Sequence, residues 1–249
     1  MLIHCLKIIV ADDRCTRALL RIIEHNIDAL CMKYKQLIKK VVAAAGAVLL
    51  LCSNVTFAHP HNWIDLRTKV DIDEKGMLTG FSQHWRFDQF FSMINYAELM
   101  NEYNDEKIGL ASTAVSMVAN VAPEQYFSEL KVAGEVVSLP VPKRYTLETE
   151  QIDGNPILIL KMTFVLKKPI LVKGKSFTLQ TFEPTYYVAM NYPSKDNIRI
   201  QSAGPTCQAE LIRATPSDEL IDYANSLDRN VRDTKGLGND FAERVKIEC

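Results

Sequence analysis

Histidine and cysteine are few in this chain. Of 249 residues, five are histidine and six cysteine. Beyond residue 58 only His59, His61, His84, Cys207 and Cys249 remain. Hydrolytic mechanisms that need a histidine base beside a serine or cysteine are therefore thinly supplied, and no spacing marks such a pair. No glycine-rich loop of the phosphate-cradling kind occurs, and no CxxC pair. Repeats and low-complexity tracts are also missing. The apolar run at 41–51 is about a dozen residues, short of the roughly 20 that cross a bilayer as a helix.

That run belongs to a different pattern. From Met32 the chain reads MKYKQLIKKVVAAAGAVLLLCSNVTFA, with Lys33, Lys35, Lys39 and Lys40 ahead of the apolar core and Thr56, Phe57 and Ala58 behind it. A basic head, an apolar middle and a small-residue exit describe a cleaved secretory signal. The expected organisation is an over-long extension at 1–31, a signal peptide at 32–58, and one mature periplasmic domain at 59–249 with no stable membrane anchor. Lipidation at Cys52 is the rival, but Leu51 stands where a small residue is required.

Removing the eight basic and four acidic side chains of residues 1–58 from totals of 29 and 30 leaves 21 and 26, a net charge near −5. An acidic domain is a poor partner for nucleic acid. Cys207 and Cys249 are expected to form one disulfide in an oxidising compartment.

The periodicity predicts α+β architecture: a mainly antiparallel sheet or sandwich, a helical insertion after the first hairpin, and a short C-terminal helix. NWIDLRTKVDI and MLTGFSQHWRFD alternate on either side of DEKG. Ile64, Leu66, Val70, Ile72, Phe81, Trp85 and Phe87 fall on one face; His61, Trp63, Asp65, Arg67, Lys69, His84, Arg86 and Asp88 fall on the other. Helical spacing runs from Phe87 to about Leu130, and NEYNDEKIGL inside it reads as a helix connector rather than a calcium loop. RYTLETEQ and ILILKMTFVL pair about Asp153 and Gly154. Trp63 and Trp85 are expected to be hairpin packing. SFTLQTFEPTYYVAMNY reads as a strand with a proline-marked edge or bulge, and DELIDYANSL as a short helix.

If Ile72 faces Met77, Asp65 faces His84 and His61 faces Asp88. His61 and His84 are then about 13 Å apart, too far to share a metal. His59, His61 and Asp88 would converge at the open end of the hairpin, with Glu183 a further carboxylate in reach. Imidazoles plus carboxylate suit Zn²⁺ or Ni²⁺ first, with Co²⁺ and Cu²⁺ also possible. A free amine on His59 would add a nitrogen. Pro60 has no amide hydrogen, so the copper site that uses a deprotonated second amide is excluded. A solvated terminus is the plain alternative, and His84 is expected to be a surface histidine paired with Asp65.

The stretches AHPHNWI, WRFDQFFS, FEPTYYVAM and GLGNDFAERVKIEC, in that order, resemble a bacterial family of unknown function described as the periplasmic component of an uncharacterised ABC-type transport system. The resemblance covers essentially all of 59–249. Members tend to be encoded beside nickel/cobalt-type transporters, some in zinc-responsive gene sets. It implies a non-enzymatic accessory that binds a transition metal through His59, His61, Asp88 and Glu183 and works with a membrane metal transporter. Two alternatives stand beside it: a metal-independent module docking on a permease through the helices near Phe90 and Phe91, and a copper enzyme using His59 with Tyr186 or Tyr187.

Overall fold

The computed structural model describes Tyr34, residues 60–227 and residues 236–249. The expected extension and signal, apart from Tyr34, lie outside these residues, as does His59. The fold below is that of the unit Phe57–Cys249. Its elements are β1 (Asn62–Ile72), β2 (Met77–Phe87), α1 (Gln89–Tyr103), α2 (Glu106–Val121), β3 (Ser128–Val132), β4 (Glu135–Val137), β5 (Arg144–Ile152) and β6 (Asn155–Leu171). There follow β7 (Ser176–Thr181), β8 (Val188–Asn191), β9 (Ile198–Ser202), β10 (Gln208–Ile212), α3 (Asp218–Ser226), α4 (Leu237–Asp240) and β11 (Arg244–Glu248).

The architecture is α+β, as the alternation predicts. One sheet runs β5-β6-β2-β1-β8, with β9 also on the outer edge of β1; the second runs β10-β11-β7-β3-β4. All ladders are antiparallel except those of β8 and β9 with β1. Alternation drives the inner faces together: Leu66, Phe81, Trp85, Leu158 and Met162 of the first sheet share one core with Leu130, Phe177, Leu179, Val245 and Ile247 of the second. A polar clasp crosses that core. Gln83 Nε2 donates to Thr181 Oγ1 at 2.6 Å, and Gln83 Oε1 accepts from Trp85 Nε1 and Ser128 Oγ, both at 3.1 Å. Gln83 is fully buried, and every polar atom of its amide that bonds here has a partner, as burial requires.

The helical insertion follows the first hairpin. Asp88 caps α1 and Asp105 caps α2, each accepting a main-chain N–H three residues on. The two helices are joined through Asn104, in the left-handed region at φ 52°, so NEYNDEKIGL is the expected connector. Phe91 stacks on Phe87 at 4.6 Å and faces the core, whereas Phe90 is 72% exposed.

Three local expectations are corrected. The hairpin register pairs Asp65 with Arg86 and Arg67 with His84, two positions from the expected alignment. Asp73 is one cause: its main chain pairs with Met77 and its carboxylate accepts from Lys75 N and Met77 N, so Ile72 meets Leu78. A bulge at Thr79 adds the second step. Trp63, expected as hairpin packing, is 53% exposed on the wet face. Finally, the segment read as one strand at 176–192 divides between the sheets: β7 ends at Thr181, a turn occupies 182–187, and β8 joins β1.

Candidate functional site

The four stretches that carry the family resemblance lie far apart in sequence, and the fold brings them to one corner at the start of β1. Trp63 and Asp88 close the hairpin: Asp88 N donates to Trp63 O at 3.0 Å and Trp63 N to Asp88 Oδ2 at 3.1 Å. His61 N donates to Tyr187 O at 2.9 Å, and the two rings lie 4.7 Å apart. Gly238 N donates to Pro184 O at 3.0 Å. Tyr186, at a left-handed φ of 59°, stacks on Phe241 at 4.0 Å.

Glycine at 238 is required here. A Cβ would stand 1.9 Å from the Glu183 carbonyl oxygen, a contact that only backbone movement relieves. The left-handed Tyr186 and this close approach are local costs of the kind that persist where surrounding structure enforces them.

The expected ligands do not play equal parts. His61 is half-buried at the corner with its ring against Tyr187. His59 precedes it by two residues and lies outside the described residues. Asp88 spends both carboxylate oxygens on main chain, Oδ1 accepting from Phe91 N at 2.9 Å and Oδ2 from Trp63 N. Glu183 is similarly engaged: Oε1 accepts from Thr185 N at 3.0 Å and Oε2 from Tyr187 N at 2.7 Å, and the Thr185 hydroxyl bridges both oxygens at 2.9 Å. These bonds shape the turn that breaks the expected strand. A cation at either carboxylate would compete with donors that hold the fold. Among the described residues no group of three His, Cys, Asp or Glu side chains is placed to hold a metal.

His84 is away from this corner. It stands between Arg67 and Lys161 on neighbouring strands, while Asp65 pairs with Arg86 at 3.3 Å. Partial burial, then Lys161 and Arg67, hold its pKa below the usual imidazole value.

Cys207 and Cys249 are bonded, bridging the outer ends of β10 and β11.

Sequence reasoning passed over a second feature. The open face of the first sheet forms a cleft of about 820 Å³ between β5 and β9, lined chiefly by polar and charged side chains. The wet face of the hairpin was its visible signal; its far walls, β5, β6 and β9, come from distant sequence.

A relative among known proteins, an uncharacterised protein of Haemophilus influenzae, is 32% identical over 204 residues, spanning 80% of this chain and 95% of that protein. The family described as "Protein of unknown function (DUF1007)" matches residues 44–249, and with this span the chain belongs to that family.

Proposed function

We propose that this protein is a periplasmic, non-enzymatic accessory of a transition-metal transport system. It binds Zn²⁺ or Ni²⁺ as cargo at the amino-terminal corner and exchanges it with a membrane transporter. Convergence of the four resemblance stretches carries this reading. His61 sits against Tyr187, and His59, with the amine freed by signal cleavage, would complete a nitrogen-rich and exchangeable site. Asp88 and Glu183 build the seat rather than supply first-choice ligands.

The test is calorimetric titration of protein beginning at His59 with Zn²⁺, Ni²⁺, Co²⁺ and Cu²⁺. Stoichiometric binding that weakens at least tenfold in His61→Ala is the expected result. Loss of binding on adding one residue before His59 would place the amine in the site. No binding tighter than about 0.1 mM, some 5.5 kcal/mol, would sink the metal reading.

One observation favours a second reading. Phe90, Met93 and Ile94 on α1 are 72%, 42% and 49% exposed, an apolar strip suited to docking on a permease. On that reading, Phe90→Ser disturbs function in cells while the double change His59→Ala, His61→Ala leaves it intact.

A further inference from the structure

The wet face of the first sheet handles charge in two different ways. In the row nearest the corner, opposite charges meet: Asp65 pairs with Arg86 across β1 and β2, and Glu150 approaches Arg86 at 3.7 Å from β5. This is the ordinary arrangement, since unlike neighbours on adjacent strands stabilise a sheet and like ones destabilise it. Two residues further along the strands, Arg67, His84 and Lys161 stand directly opposite one another on β1, β2 and β6. In the next row Arg199, Lys69, Ser82, Thr163 and Arg144 cross five strands in order.

Not all of this charge is balanced locally. Lys161 pairs with Glu148, and Lys69 with Asp71 at 3.0 Å. For Arg67, Arg144 and Arg199 no carboxylate lies within ion-pair distance among the described residues. Three guanidinium groups without an ion-pair partner, from β1, β5 and β9, thus surround one concavity, whose acidic lining residues are Glu148 and Asp196, in a domain whose sequence is net acidic. Ser82 and Thr163, whose hydroxyls bond each other at 3.2 Å, line it between them, while Thr146 donates to Glu148. At about 820 Å³ the cleft has the size of a small-molecule site. Arginines of fixed charge around hydroxyl donors are the groups that recognise phosphate and carboxylate oxygens, often two at a time.

We propose that this cleft binds a small, multiply charged oxyanion, a phosphate- or carboxylate-rich molecule, through Arg67, Arg144 and Arg199, with Lys69 and Lys161 in support. The site is independent of the metal reading, being formed by other residues on another part of the sheet. His84 lies among these groups, its pKa pushed down by partial burial and then by Lys161 and Arg67, and a bound anion would push it back up.

The experiment is titration of the metal-free protein, at low ionic strength, with inorganic pyrophosphate and with citrate, and separately with vesicles of phosphatidylglycerol. Saturable one-to-one binding of either soluble anion is expected, weakened about tenfold or more by Arg67→Gln, Arg144→Gln or Arg199→Gln. Arg86→Gln, on the same face but already paired, serves as the control and should leave affinity within twofold. Preference between the two anions assigns phosphate or carboxylate. Failure of both to saturate, equal weakening by Arg86→Gln, or binding to vesicles alone would overturn the proposal.

Discussion

Asp88, expected as a metal ligand, also has a structural duty. A carboxylate at the junction of a strand and a helix satisfies two orphan donors, Phe91 N of α1 and Trp63 N of β1. Asp88→Ala should cost about 1–2 kcal/mol in denaturant unfolding. Asp88→Asn keeps the cap but can accept from only one of the two main-chain donors, so it should cost about 1 kcal/mol through the other. Loss of metal binding in Asp88→Asn while the protein is still fully folded would make its charge a ligand. His84 makes a second residue-scale prediction. Its folded-state pKa lies below the unfolded value of 6.5, so below that pH the unfolded chain takes up the proton first. Stability is then lost as pH falls through 6.5 toward the folded pKa. The loss should be smaller in His84→Gln, compared by thermal unfolding between about pH 7 and pH 5.

At the scale of elements, sequence pattern and structure part company where side chains act on main chain. The two faces of β1 and β2 are readable because burial enforces period two over both strands. Their register is not, because Asp73 tightens the turn and Thr79 inserts a bulge, neither of which alters the alternation far from the turn. The break between β7 and β8 is hidden for a similar reason: apolar and aromatic residues continue through it, and the turn is held by the carboxylate of Glu183. The parallel places of β8 and β9 along β1 rest on contacts more than a hundred residues apart in sequence, which no local period encodes. Gly238 tests how tightly these elements depend on one another. Gly238→Ala must push α4 away from the 183 carbonyl, and overpacking of this sort costs about 1–3 kcal/mol. Because the same segment backs the turn that receives His61, the variant should also weaken metal binding, and it should leave oxyanion binding at the cleft unchanged.

For the whole molecule the question is what makes two sheets and a long C-terminal excursion one cooperative unit. The shared apolar core does most of this, and the Gln83 clasp fixes how the sheets face each other. The segment after β10 leaves the second sheet, passes through α3, lays α4 against the corner and returns as β11. Cys207 and Cys249 close that excursion, 42 residues apart. In the chain-entropy description a loop of this length is worth about 4 kcal/mol, chiefly by restricting the unfolded chain. β10 and β11 are already paired from Gln208 with Glu248 to Ile212 with Arg244, so the native ladder does not require the bond. Reduction, or Cys207→Ser, should therefore lower the melting temperature by about 8–16 °C while leaving the native far-ultraviolet circular dichroism unchanged. The corner should stay assembled below that temperature, since Gly238, Tyr186 and Phe241 hold it without the bridge. A reduced protein that keeps its secondary structure but loses metal binding would show the opposite: that the bridge is what holds the corner together.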